Sequence, residues 1–96
     1  MKQLLGYVLW DSVRDLYYNR VDRTLKPLKQ TTAIYKTVGE AKRGLSQAVS
    51  NIRRYYYKKE TGSTTTYFTK IKFFELELDL KIRPLYFELG EVEIIN

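Results

Sequence analysis

The sequence predicts an α+β fold in which one amphipathic helix packs on a mostly antiparallel sheet of roughly four to six strands. The predicted order is β-hairpin, strand, helix, long β-hairpin. The prediction rests on one segment with sustained helical periodicity and on several short segments rich in β-branched and aromatic residues, with turn residues between them. The 96 residues, 44% of them hydrophobic, suffice for a single domain over 1–96 with its own core.

The first two strands are predicted at residues 4–10, LLGYVLW, and at residues 13–18, VRDLYY. Both segments are rich in the aliphatic and aromatic residues that strands favour. Asp11 and Ser12 lie between them and are typical turn residues, so the two strands should form a β-hairpin.

Residues 19–30, NRVDRTLKPLKQ, are polar and basic and are predicted to form a loop. Pro27 prevents a helix from running through this segment because proline lacks the backbone N–H that a helix interior requires. A third strand is predicted at 31–37, TTAIYKT, with Ala33 and Tyr35 on the same face.

The helix is predicted at about residues 38–57, ending before Gly62. Thr37 and Glu40 have the spacing of a capping box, in which the Thr hydroxyl accepts a hydrogen bond from the Glu40 N–H and the Glu carboxylate reaches back. Apolar residues then recur at helical spacing within an arc of roughly 120°. These residues are Val38, Ala41, Leu45, Ala48, Val49, Ile52, Tyr55 and Tyr56.

Residues 71–82 alternate between apolar and charged side chains, which predicts a strand with one buried face. The apolar positions change from odd to even numbers near 73–74, which indicates a bulge. The Arg-Pro pair that follows should end or turn this strand. Residues 85–95, LYFELGEVEII, should return as its partner, with a second bulge at Gly90.

The composition excludes several classes of chemistry. The chain has no cysteine and no histidine, so it has no thiolate nucleophile or disulfide and lacks the commonest general base and transition-metal ligand. No stretch approaches the roughly 18 apolar residues of a membrane span, and the first residues, MKQLLGYVLWDS, make a poor signal peptide. We therefore expect a cytoplasmic protein that is not an enzyme and that uses no cofactor or metal ion.

The net charge of +6 is unevenly distributed along the chain. Residues 1–72 hold 15 Lys and Arg against 5 Asp and Glu, a net charge of +10. Residues 73–96 hold 2 against 6, a net charge of −4. This asymmetry indicates either a basic region that binds a partner or two parts of the chain that neutralise each other in the fold.

Two groups of cations are the candidate binding residues. On the helix, Arg43, Arg54 and Lys58 lie across the back of the apolar arc. Lys42 and Arg53 lie on one flank and complete the basic helix face. The predicted loop carries Arg20, Arg23, Lys26 and Lys29. The sequence leaves three interpretations of these cations open: a solvated surface, a phosphate-binding surface, and a docking surface for an acidic protein.

Other polar and aromatic residues are weaker candidates. Glu75, Glu77 and Asp79 share one face of the predicted strand, but alternate residues lie roughly 6.5–7 Å apart, which is too far for neighbours to share a metal ion easily. A solvated face or cross-strand pairing with lysines is therefore the favoured interpretation. For the aromatic residues that the apolar pattern does not clearly place in the core, two interpretations remain: stacking on nucleic-acid bases, and ordinary packing in the core or at an interface. These aromatic residues are Trp10, Tyr17, Tyr57 and Tyr67.

The segment TTAIYKTVGEAKRGLSQA, preceded by YVLWDSVRDLYY and followed at the end of the chain by YFELGEVEI, resembles a pattern in many small bacteriophage-encoded proteins. The resemblance implies a non-enzymatic protein that binds a host protein or nucleoprotein complex in the host bacterial cytoplasm and inhibits or modulates it, for example as an anti-defence inhibitor. It implies no site residues. The alternative is a DNA- or RNA-binding protein that uses the basic helix face and the basic loop. A homodimer formed through free strand edges is compatible with either.

Overall fold

The computed structural model describes residues 2–62, 74–88 and 91–94, without the side chains of residues 88 and 91–94. The described residues form one helix and a five-stranded sheet with the strand order β3-β2-β1-β4-β5. The elements are β1 Gln3–Asp11, β2 Leu16–Asn19, β3 Thr24–Lys26, α1 Val38–Thr61, β4 Leu80–Glu88 and β5 Glu91–Ile94. All described strand pairs are antiparallel, which confirms the predicted α+β class.

The hairpin between β1 and β2 is built on the side chain of Asp11. Its carboxylate accepts hydrogen bonds from the backbone N–H groups of Val13 at 3.3 Å and Arg14 at 3.2 Å. Asp15 completes the turn in the left-handed region, at φ 55°, which aspartate tolerates better than most residues. The predicted hairpin is confirmed, and its turn occupies residues 12–15.

A second turn of the same construction follows eight residues later and corrects the predicted loop at 19–30. The Asn19 side-chain oxygen accepts hydrogen bonds from the N–H groups of Val21 and Asp22, both at 3.0 Å, and Arg23 adopts φ 55°. Because this turn reverses the chain within four residues, β3 pairs back onto β2. A short edge strand therefore lies inside the segment that we predicted to be a loop.

The predicted third strand at residues 31–37 is present only as two isolated bridges. Thr32 bridges to Asn19 in β2, and Tyr35 bridges to Tyr7 in β1. Tyr7 and Tyr35 exchange backbone hydrogen bonds of 2.7 and 2.8 Å. The segment changes partner from one strand to the next over these few residues, so a continuous ladder does not form with either.

Capping interactions define both ends of α1. The Thr37 hydroxyl accepts a hydrogen bond from the Glu40 N–H at 3.1 Å, and the Glu40 carboxylate reaches back to the Lys36 N–H at 3.0 Å. Gly62, at φ 66°, closes the other end by donating its N–H into the last turn. The helix therefore extends to Thr61, about one turn beyond the predicted end.

The core lies between α1 and one face of the sheet. Its buried members are Leu9, Tyr18, Leu25, Ala33, Ala41, Ala48 and Ile52. Full burial of a side chain such as Ile52 contributes about 2 kcal/mol. Tyr56 packs against this cluster, as the apolar arc predicts, and the half-buried Tyr55 places its ring edge-on to Tyr56 at a centroid distance of 5.2 Å.

The strand predicted at residues 71–82 begins only at Leu80. Residues 74–79 keep the predicted alternation, with half-buried apolar and exposed acidic side chains, but form no regular element. Side chains from other elements hydrogen-bond to the backbone of this segment. The predicted bulges near 73–74 and at Gly90 involve residues outside the described part of the chain.

The prediction that the strand ends or turns at the Arg-Pro pair is wrong, because β4 continues through Pro84, which lies opposite Tyr7. Tyr7 directs both of its backbone groups to Tyr35, so its pairing with Pro84 needs no hydrogen bond from a proline nitrogen. On the other side, the β4–β5 ladder begins only at Leu85. The missing N–H of Pro84 therefore costs no ladder hydrogen bond.

Candidate functional site

The side of α1 that faces away from the sheet carries four of the candidate cations. Lys42, Arg43, Arg54 and Lys58 are all exposed, and none of the four has a hydrogen bond or ion pair with another described residue. Arg43, Arg54 and Lys58 recur at helical spacing and lie on one stripe about 22 Å long. We call these three residues the helix stripe.

Arg53 differs from the other helix cations because it has a structural contact. It is half-buried, and its guanidinium donates a hydrogen bond of 3.2 Å to the Phe74 carbonyl. Tyr57 also contacts Phe74, with its ring edge-on at a centroid distance of 5.5 Å. These contacts attach the segment that precedes β4 to the helix.

Arg20 is the first residue of the turn between β2 and β3, and it lies beside the helix. It lines a mostly apolar cleft of about 360 Å³ together with Tyr35 and Gln47. Burial raises the pKa of the Tyr35 hydroxyl, and the positive charge of Arg20 partly opposes that rise. Arg20 therefore lies close to Gln47, a helix residue between Arg43 and Arg54 in the sequence.

The remaining loop cations lie elsewhere. Arg23 is exposed in the turn between β2 and β3, and Lys29 forms an exposed ion pair with Asp22 at 3.4 Å. Lys26 is in β3, next to the core residue Leu25, and its side chain is therefore on the sheet face opposite α1. The helix and loop cations thus lie on more than one surface of the fold.

The sheet face opposite α1 presents a row of two aromatic residues between two lysines. Tyr17 in β2 pairs with Lys26 in β3 on one side and with Trp10 in β1 on the other. Trp10 in turn pairs with Lys81 in β4. We call these four residues the aromatic row; it crosses four adjacent strands and is about 14 Å long.

Arg83 extends this face, because its guanidinium carbon lies 4.2 Å from the centroid of the Trp10 ring. Its Nε atom is buried and has no hydrogen-bond partner among the described residues. The indole N–H of Trp10 donates a 2.7 Å hydrogen bond to Asp15, which fixes the ring orientation. Burial raises the pKa of Tyr17, Arg83 opposes the rise and Asp15 adds to it, so both charges act on the row.

Asp11 is the most deeply buried carboxylate among the described residues, but all of its observed contacts are structural. One oxygen accepts the N–H groups of Val13 and Asp79, and the other accepts the N–H and the guanidinium of Arg14, at distances of 3.0 to 3.3 Å. Arg14 also donates to the Glu77 carbonyl at 2.8 Å. Asp11 thus joins the first turn to the start of β4.

The acidic residues Glu75, Glu77 and Asp79 are exposed, as predicted. Within residues 2–62, 74–88 and 91–94, no group of three or more acidic side chains is arranged to hold a metal ion. A hydrogen bond from Ser12 lowers the pKa of Asp79, and Lys81 contributes to the decrease. Asp79 therefore belongs to the turn contacts around Asp11.

Comparisons of the chain with protein-family models, with curated proteins and with solved structures found no match. In the described part of the chain, no helix has both the length and the apolar character that crossing a membrane requires. The functional proposals below therefore rest on geometry, charge and the sequence pattern.

Proposed function

We propose that this protein is a non-enzymatic binding protein that docks a negatively charged macromolecule on the helix stripe and thereby inhibits or modulates it. The observation that carries this proposal is the exposure of Arg43, Arg54 and Lys58 on one side of a capped helix, without partners among the described residues. A helix that is already folded keeps the spacing of the charges, so binding orders only side chains.

A host protein or nucleoprotein complex is the proposed partner. The resemblance to small phage-encoded proteins supports this choice. An acidic protein surface complementary to the helix stripe would gain association rate and specificity from the charge pattern. Arg20, which lies beside the helix, would extend the contact towards β2.

Binding of DNA or RNA through the helix stripe is the second candidate function. The positive stripe is about 22 Å long, a length over which several phosphates can be contacted. Ser46 and Ser50 lie on the same side of the helix and can donate hydrogen bonds to phosphate oxygens. This candidate predicts that affinity falls steeply as salt rises, because each neutralised phosphate releases counterions.

The test is affinity capture with the tagged protein expressed in a bacterial host, followed by reconstitution with the purified partner. The variant with Arg43→Glu and Arg54→Glu should keep the circular dichroism spectrum of the original protein and lose the partner. The variant with Arg43→Lys and Arg54→Lys keeps the charge and is the charge-conserving comparison. Arg23→Glu with Lys36→Glu makes the same change in net charge away from the helix stripe and should retain binding.

Two results would contradict the proposal. If the reversal of Arg43 and Arg54 leaves a stoichiometric complex unchanged, the helix stripe is not the docking surface. If nothing stoichiometric is captured, the protein-partner proposal fails. Titration of generic duplex and single strands at several salt concentrations then tests the second candidate.

A further inference from the structure

Independently of the helix stripe, we propose that the aromatic row, together with Arg83, binds single-stranded nucleic acid. Bases would stack on Tyr17 and on the pair formed by Trp10 and the guanidinium that lies over its ring, and the flanking cations would contact the phosphates. This surface lies on the other side of the sheet from α1, so the proposal does not depend on what binds the helix stripe.

The order of residue types along the aromatic row matches the bases and phosphates that a single-stranded nucleic acid presents. Sheet platforms that bind single-stranded RNA stack about two or three bases on exposed aromatic residues. Here Tyr17 and Trp10 are direct cross-strand neighbours, and Lys26 and Lys81 follow at the two ends. A single-stranded nucleic acid that lies across the sheet would meet a cation, then two aromatic rings, and then a second cation.

Arg83 supplies a guanidinium next to the rings. It is held over Trp10 at 4.2 Å, and it makes no hydrogen bond with another described residue. A guanidinium combines a flat face that stacks with an edge that donates to phosphate. The two terminal nitrogens of Arg83, unlike its buried Nε, are open to solvent and can donate hydrogen bonds to a phosphate or a base carbonyl.

The carboxylates near this face do not cancel its positive charge. The three cations of this face outnumber the two carboxylates near it, of which one, Asp15, accepts the indole N–H of Trp10. Asp79 pairs with Lys81 at 3.5 Å, but their side chains are 52% and 58% exposed. An exposed ion pair is weak, so Lys81 can exchange it for a phosphate.

The charge pattern favours single-stranded nucleic acid over a second copy of the chain. Two aromatic rows brought face to face would place lysines and Arg83 close to one another, and like charges in an interface are costly. A duplex is also a poor fit, since its bases are already stacked on one another and cannot lie flat on the rings.

The chain contains one tryptophan, so selective excitation of Trp10 reports directly on this surface. The full chain is titrated with oligothymidylate and oligouridylate of about 12 nucleotides, within the range of single-strand site sizes. We expect saturable quenching of Trp10. A plot of the logarithm of affinity against the logarithm of salt concentration should have a slope of about −2, because three cations each contribute about −0.7.

Matched variants separate stacking from charge. Tyr17→Ala should weaken binding about tenfold or more, whereas Tyr17→Phe should keep it. Lys26→Gln with Lys81→Gln should reduce the slope to about −0.7. Lys36→Gln with Lys42→Gln removes the same charge outside both the aromatic row and the helix stripe, and it should leave quenching unchanged. If Tyr17→Ala fails to fold by circular dichroism, the two glutamine pairs still provide the test.

Four results would overturn the proposal. The first two are the absence of Trp10 quenching at low salt, and quenching by duplex or by inorganic polyphosphate that equals quenching by the oligonucleotides. The third is an equal loss of affinity in the two double variants to glutamine. The fourth is a concentration-dependent dimer that quenches Trp10 without oligonucleotide. The last result would assign the face to a second copy. Loss of the captured host partner in the Arg43→Glu and Arg54→Glu variant, with Trp10 quenching retained, would separate this proposal from the function of the helix stripe.

Discussion

Replacing Gly6 by alanine should destabilise the protein by about 4 kcal/mol. Gly6 lies in β1 at φ 150°, next to the point where the register with β4 shifts. The bridge between Tyr7 and Tyr35 brings the Tyr35 carbonyl into the space that a side chain at position 6 would occupy. A β-carbon there would contact that carbonyl oxygen and lie 2.7 Å from the Ile34 side chain.

The magnitude has two components. A non-glycine residue held at an unfavourable positive φ costs about 1–3 kcal/mol. Overpacking adds about 1–3 kcal/mol when the neighbouring atoms cannot move. The oxygen of Tyr35 cannot easily move because both backbone groups of this residue are hydrogen-bonded to Tyr7. A domain of this size has a free energy of unfolding of about 5–14 kcal/mol, so the substitution should remove roughly a third or more of it.

Gly62→Ala is the matched control. Gly62 also has a positive φ, 66°, but a β-carbon there would meet no described atom within 4 Å. It should therefore cost only the left-handed backbone penalty of about 1–2 kcal/mol. Urea unfolding of both variants, followed by Trp10 fluorescence and circular dichroism, measures the difference. If Gly6→Ala costs no more than Gly62→Ala, the close approach of Tyr35 to β1 is not a rigid feature of the fold.

Three further predictions concern the contacts around Asp11. Asp11→Asn should cost about 2–4 kcal/mol in urea unfolding, because the amide places a donor against N–H groups in a buried position. Arg14→Lys should also lower the free energy of unfolding, by about 1–2 kcal/mol. One guanidinium nitrogen of Arg14 bonds to both Asp11 and the Glu77 carbonyl while the flat guanidinium lies over the Tyr56 ring, and a shorter side chain with a tetrahedral ammonium does not keep all three contacts. Ser12→Ala should raise the pKa of Asp79 towards its usual value, which NMR titration of the carboxyl carbon measures. The stability that the Ser12–Asp79 bond contributes is complete above the ordinary Asp pKa of about 3.8 and is lost as pH falls through the lower folded pKa, so the variant should show a weaker acid dependence.

The elements that the sequence predicts well depend on residues close together in the chain. Local signals define α1: the capping pair Thr37 and Glu40, the apolar arc that follows, and the stop at Gly62. The structure has each of these signals in α1 or at its ends. The first hairpin is likewise local, since Asp11 bonds to residues two and three positions ahead. Helix phase also predicts that Arg43 and Arg54 face solvent, and both are exposed.

The elements that were predicted wrongly depend on partners far away in the chain. The short strand β3 could have been inferred, because NRVDR repeats the Asx-x-Val pattern of DSVRD eight residues later. The structure of residues 31–37 could not have been inferred from the sequence, because it depends on how β1 and β2 diverge around that segment. Pro84 is tolerated in a strand only because Tyr7 bonds elsewhere, and composition near residue 84 carries no sign of this.

The aromatic row shows the same limit at the level of a site. Alternation along each strand indicates that Lys81 and Arg83 face away from the core, and Trp10 and Tyr17 were candidates for exposure. Their adjacency follows from the pairing of β1 with β4, two strands separated by the whole of α1. Only the register across the sheet shows that residues this distant in sequence share one surface.

The topology explains why this second surface exists. A single helix covers one face of a five-stranded sheet, so the side chains that alternate with the core must be covered by something else or meet solvent. Near Val8 and Leu85 the opposite face is buried, and Leu28 and Ile34 line the groove beside it. At the end of the sheet that carries the aromatic row, the guanidinium of Arg83 lies over Trp10, and the rings of Trp10 and Tyr17 are half-buried. The part of the two rings that stays in contact with water is an unfavourable exposed apolar surface, which a ligand or partner can cover. The cations around the rings favour a ligand or partner that is negatively charged.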